Sequence, residues 1–116
     1  MKIVKKEEAS IFKNSDTSSL LEYSITLGEK DLDFCINTIT GRYPEKGFCT
    51  NEECNEICYI LEGEGSINLH NESQNFKQGD VIFIKKNDVY YWDGNCKIIM
   101  ICSPAWYKDQ CKLFDN

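Results

Sequence analysis

Residues 49–65 read CTNEECNEICYILEGEG and place one carboxyl, Glu56, among three thiols, Cys49, Cys54 and Cys58. Two chemistries suit that grouping: a thiolate site for a soft metal, or proton transfer by a carboxyl held away from water. Structural zinc sites show paired C-x-x-C spacings, whereas this segment has C-x4-C and C-x3-C. On a strand Cys54, Glu56, Cys58 and Ile60 share one face, and residues two apart are separated by about 6.6 Å. That spacing suits a tetrahedral cluster only if a second strand contributes. Buried free cysteine is otherwise a small apolar filler, so no metal is assigned to these thiols.

The second chemistry needs a partner for Glu56. Further along, VYYW places Tyr90, Tyr91 and Trp92 together. A carboxylate enclosed by aromatic groups with no cation beside it bears a desolvation cost. It either holds a proton at a raised pKa or is gripped by tyrosine, arginine or asparagine donors, and in both cases it can serve as a general acid or base. The single histidine, His70, lies in the turn-like HNES and reads as a solvated loop residue.

The elements that would position these groups are short strands. The β-type runs are Ser24–Leu27, Asp33–Thr40, Glu56–Leu61, Gly65–His70, Gln74–Lys77, Val81–Lys85, Val89–Trp92 and Lys97–Cys102. GEK, GRYPEKG, EGEG, HNES, KQGD, KKND and DGN separate them and read as turns. Many strands at this spacing predict an antiparallel sandwich or barrel, and 116 residues suffice for one domain spanning 1–116. KIIMIC (97–102) is apolar at almost every position, which predicts a central strand covered on both faces. The tail SPAWYKDQCKLF reads as helical, with Ser103 as cap and Pro104 at the first helical position.

EICYILEGEG followed by QGDVIFIKKNDVYYW resembles the two core motifs of the cupins, small all-β jelly-roll or double-stranded β-helix barrels, over residues 41–102. Glu56 and Gly63 match the first motif, and Gly79 followed by Asp80 matches the second. The family's histidine ligands are missing. Their positions in the first motif fall on Cys49 and Asn51, or on Thr50 and Glu52; Tyr90 stands for the last histidine, and Lys85 and Asn87 replace a proline and a glycine. First-row metals need imidazole nitrogens in such a barrel, so the resemblance implies a cupin without metal or other cofactor.

The same resemblance directs Asn51, Glu56, Cys58, Tyr90, Trp92, Ile98 and Met100 into the barrel, with Arg42 and Tyr43 on a loop beside its mouth. An aromatic pocket with a few polar groups implies a small-molecule binding protein, for a sugar or a sugar phosphate, with Arg42 facing the anionic group. The alternative is a metal-independent sugar isomerase or epimerase using Glu56 with Tyr90 or Tyr91; the epimerase type of cupin relies on a catalytic histidine, and the barrel has none to offer. A third reading is a homodimer built on the barrel's outer face and the Trp106 tail.

Thirteen basic against nineteen acidic side chains give a net charge of −6. Without a basic face no counterion release drives binding to a phosphate backbone, which excludes nucleic acid and disfavours anionic membranes. No apolar run approaches a membrane span, and seven cysteines, an odd number, predict free thiols in the cytoplasm.

Overall fold

The computed structural model describes residues 1–115. Nine strands account for most of the chain: β1 (Ser10–Ser15), β2 (Ser18–Glu22), β3 (Asp33–Tyr43), β4 (Phe48–Asn51), β5 (Asn55–Asn68), β6 (Ser73–Lys77), β7 (Val81–Ile84), β8 (Tyr91–Ser103) and β9 (Cys111–Phe114). All pairings are antiparallel. One sheet has the order β1-β2-β3-β8-β5-β6, with β7 also on β5, and β4 pairs with β9 in a second. A bridge between Cys49 and Tyr90 ties the two together. Among the described residues no helix is long and apolar enough to cross a membrane.

Period-two alternation sets the inside. Cys58 and Ile60 on β5, Ile98 and Met100 on β8, Ile39 on β3 and Ile84 on β7 all turn into one buried cluster. Ile39, Ile60 and Ile98 are completely enclosed and form its centre.

The expected strands Glu56–Leu61 and Gly65–His70 are two parts of the single strand β5, and Val89–Trp92 and Lys97–Cys102 merge into β8 from Tyr91 onward. EGEG and DGN are therefore not turns. Gly41, Gly94 and Gly65 are register partners across β3, β8 and β5. A Cβ on Gly94 would lie 2.5 Å from the Glu64 carbonyl oxygen, so these glycines let three strands approach closely where turn chemistry was expected.

Two further expectations are corrected. Ser24–Leu27 is one turn of helix ended by Gly28 at φ 62°. Glu22 on β2 already pairs with Cys35 on β3, which leaves the segment no ladder to join. The tail contains a single 3-10 turn, Lys108–Gln110, followed by β9. It is drawn into the sheet because β4 is otherwise an open edge: Phe48 to Asn51 pair with Phe114 back to Cys111. The buried Gln110 side chain accepts the N–H groups of Glu53 (3.1 Å) and Cys54 (2.8 Å), fixing the turn that launches β5. KIIMIC is central, between β3 and β5, but its outward residue Ile101 is left open to water.

Candidate functional site

The inward face of β5 begins with Glu56, next to the barrel mouth. Its side chain is 6% exposed, and three donors converge on it. Asn51 Nδ2 on β4 donates to Oε1 at 3.1 Å, the Tyr90 hydroxyl to Oε1 at 3.5 Å, and Cys102 Sγ on β8 to Oε2 at 3.2 Å. Asn51 is oriented in turn by Trp106, whose Nε1 donates to Asn51 Oδ1 at 2.9 Å. Each donor comes from a different element, so the carboxyl sits at the junction of β4, β5, β8 and the tail.

Those three bonds favour the ionised form, yet burial outweighs them and holds the Glu56 pKa above the ordinary 4.5. Two more acids line the same cavity. Glu22 is raised first by burial and then by the charge of Asp33, and Asp33 is raised by burial against the pull of two backbone N–H groups. No Lys, Arg or His is among the lining residues.

The thiols of Cys49, Cys58, Cys102 and Cys111 are held towards the neutral form. Burial pushes Cys49 up to about 12 and raises Cys58 and Cys111, while Cys102 is raised first by its hydrogen bond with Cys54 and then by burial. A thiol that does not ionise is a poor nucleophile and a poor metal ligand. Among the described residues no three His, Cys, Asp or Glu side chains gather in a way that could hold an ion. The donor set around Glu56 is an amide, a phenol and a neutral thiol, and both carboxyl oxygens are already engaged. These residues do not fit the histidine-held metal that the sequence resemblance associates with such barrels.

The inner cavity, about 70 Å³, opens onto a groove of about 480 Å³. Asn14, Tyr43, Trp106 and Cys111 line both and form the passage between them. Lys108 and Lys112 stand on the outer groove.

Of the residues expected at the site, Tyr43, Asn51, Glu56, Tyr90 and Trp92 do line the inner cavity, as does Met100. Trp92 packs edge-on against Phe76 (5.6 Å) and Tyr90 (6.2 Å), so it is a wall rather than an open stacking face. Cys58 and Ile98 are fully enclosed in the core and do not reach the cavity. Tyr91 lies outside it, its ring covered by the Arg42 guanidinium 3.7 Å away. Arg42 itself is committed to the loop after β3. Its Nε donates to the Pro44 carbonyl at 3.2 Å and a terminal nitrogen to the Gly47 carbonyl at 2.6 Å. His70 is exposed in its hairpin and lies against Phe48, ring centres 4.2 Å apart.

Four contributors went unread in the sequence. Cys102 was accessible, since it continues the inward parity of Ile98 and Met100. Trp106 was assigned to an outer interface; the structure turns its indole N–H into the site. Glu22 and Asp33 carry no local signal, because only the pairing of β2 with β3 and of β3 with β8 brings them to the mouth.

Comparison with known proteins agrees with this fold. The model of the EutQ-like cupin domain matches residues 44–98. No curated protein matches the sequence. Among solved structures the chain is similar to Streptomyces PAC13 with uridine, a protein described as a nucleoside dehydratase, at a TM-score of 0.85 and 16% identity, covering 99% of this chain and 91% of that one. It is also similar to the polyketide cyclase RemF from Streptomyces resistomycificus (TM-score 0.69, 12% identity, 95% and 89% covered). A predicted oxalate decarboxylase from Thermotoga maritima superposes at 0.69 with 19% identity, 90% and 100% covered. At such identities the likeness is one of fold. The barrel, the matched motif segment and these neighbours together give the chain a cupin fold.

Proposed function

We propose that the protein binds a neutral, hydroxyl-rich small molecule, a sugar ring free or within a nucleoside, with one ring in the inner cavity and the remainder in the outer groove. The observation that carries this reading is a nearly enclosed carboxyl in a cavity whose walls hold three acids and no cation. Carboxyl, amide and phenol groups pair with ligand hydroxyls, whereas an anionic group placed there would meet only like charge. A phosphate is therefore disfavoured inside, since Arg42 is engaged elsewhere; Lys108 and Lys112 are the cations nearest the mouth. A cavity of about 70 Å³ is small beside the ~300–1,000 Å³ of usual ligand sites, so any larger ligand extends through the passage at Tyr43 and Trp106. The free cysteines of the chain accord with a reducing, cytoplasmic setting.

A second reading rests on the contact between Tyr90 and Glu56 Oε1. With its pKa raised by burial, Glu56 can take a proton from a ligand carbon or hydroxyl while Tyr90 returns one. That is the proton traffic of an isomerase, epimerase or dehydratase. The dehydratase named above shares the fold and is solved with a nucleoside, which makes nucleosides the first class to try.

A thermal-shift series with neutral sugars and nucleosides beside their phosphates tests the binding reading. A melting temperature that climbs with the logarithm of a neutral ligand's concentration, and a Glu56→Gln variant that no longer responds, are the expected results. Response to phosphorylated compounds alone, or an unaffected Gln variant, would refute it. Deuterium incorporation into the bound ligand in D₂O, lost in both Glu56→Gln and Tyr90→Phe, would establish the catalytic form.

A further inference from the structure

Asn37 is buried on β3, 3% exposed, where the wall of the inner cavity changes from polar groups to hydrocarbon. It follows Asp33 and Cys35 on the inward face, and its register partners are Leu20 on β2 and the enclosed Ile98 on β8. Its amide is held in one orientation. The Ser18 hydroxyl, itself buried, donates to Asn37 Oδ1 at 2.9 Å. Were the amide turned round, two donors would face each other, because Asn37 is the only side-chain partner of that hydroxyl among the described residues. With Oδ1 so engaged, Nδ2 meets only the Met100 thioether, at 3.9 Å. Sulfur is a weak acceptor, so a buried NH₂ group on the cavity wall is left without an oxygen to bond. The nitrogen donors nearer Glu56 are already satisfied, Asn51 Nδ2 by the carboxyl and Trp106 Nε1 by Asn51.

We infer that Asn37 Nδ2 is the donor that selects the ligand, and that the atom it takes is an uncharged carbonyl oxygen on the ligand's buried edge. The inference rests on the ligand reading above and narrows it, from any hydroxyl-rich ring to one that also carries a lactam, lactone or ketone group. A hydroxyl at this place accepts from Nδ2, but its own hydrogen then needs a second acceptor. Leu20, Cys35 and Met100, which line the cavity around Asn37, offer it no oxygen, and Oδ1 is turned to Ser18. An anionic oxygen would enter a cavity lined by Glu22, Asp33 and Glu56 and by no cation. A carbonyl needs a donor and brings no hydrogen, so it alone matches an amide presented in this way. The ligand's hydroxyls then fall to the Glu56 end, where the carboxyl and the Tyr90 phenol stand. A ring without the carbonyl leaves a buried N–H pair unmatched, which is the arrangement that discriminates most strongly between near-identical ligands.

Isothermal titration with three neutral probes tests it: uridine, with carbonyls on its base; D-ribono-1,4-lactone, with one on its sugar; and D-ribose, whose ring forms have none. Wild type should bind one of the carbonyl probes at least tenfold more tightly than ribose, and which one it prefers tells base from sugar as the source of the oxygen. The double variant Ser18→Ala/Asn37→Leu should lose that preference. Without ligand it should melt at the wild-type temperature or above, because replacing both partners of a buried hydrogen bond by hydrocarbon is close to neutral. A carbonyl preference that the double variant keeps would overturn the inference and leave the ligand reading standing, as would ribose binding as tightly as either carbonyl probe. A double variant that melts several degrees lower without ligand would make the pair a structural one and overturn it too. Failure of wild type to bind any of the three would refute the inference together with the reading beneath it.

Discussion

The two faces of strands β3, β5 and β8 have exchanged the usual roles. Sheets exposed to water on one side commonly put hydrocarbon inward and polar groups outward. Here the outward face carries a run of apolar side chains, Ile36, Ile57, Tyr59, Ile99 and Ile101, while the inward face at the barrel mouth carries Asn37, Glu56 and Cys102. Only deeper along the same strands does the inside become hydrocarbon, at Ile39, Ile60 and Ile98. An apolar surface facing water and a carboxyl facing protein are both unfavourable for an isolated chain.

The deep end of the barrel sets the largest contrast. Ile98→Ala empties a fully enclosed position and should cost about 2–5 kcal/mol in urea denaturation, whereas Ile101→Ala, on the outer face of the same strand, should cost under about 1 kcal/mol within a single folded chain. Equal losses at the two positions would break the distinction between the faces.

Glu56→Gln should weaken ligand binding by tenfold or more, about 1.4 kcal/mol, read by isothermal titration, with the fold retained. The same variant sharpens the comparison through pH. A carboxyl whose folded pKa is raised binds more protons folded than unfolded, so its stabilising contribution is complete below 4.5 and is lost as pH climbs through the folded value. Wild-type stability should therefore decline across that window more steeply than that of the Gln variant, because Gln cannot ionise. Denaturation curves from pH 4 upward in steps of about one unit would show it; parallel pH profiles would mean that Glu56 is not perturbed.

Trp106→Phe keeps the ring but removes the donor to Asn51, and should cost about 1 kcal/mol along with a measurable loss of ligand affinity. The smallest effect is expected at the outer groove. Lys112→Ala breaks only a half-exposed pair with Glu52 at 4.0 Å and should change stability by less than about 0.5 kcal/mol in thermal melts.

Much of the barrel was legible because its signals are local. Gly63, Gly79 and the spacing from Glu56 marked the motif segment, and the resemblance it carries, combined with strand parity, sent Glu56, Cys58, Ile98 and Met100 inward, all of which the structure buries. Parity was less informative about depth: Cys58 and Ile98 lie in the core, while Glu56 and Met100 reach the cavity. Glycine misled in EGEG and DGN, since one residue type serves both turns and close strand crossings, and the two differ only in what lies opposite. The tail misled for a related reason. Ser103 and Pro104 are sound local helix signals, but the open edge of β4 offered KLF a ladder, and nonlocal pairing prevailed over propensity.

By itself the sequence determined antiparallel strands with Glu56, Cys58 and Ile60 on one face, because alternation is a property of one strand and its own residues; the motif resemblance then implied that this face is the inner one. Tertiary structure alone decided that Glu22, Asp33 and Trp106 would share a cavity with it, and that Arg42 would be spent on its own loop. Those outcomes depend on which distant strands lie side by side and on which carbonyls they leave within a guanidinium's reach, and neither is written in any one segment.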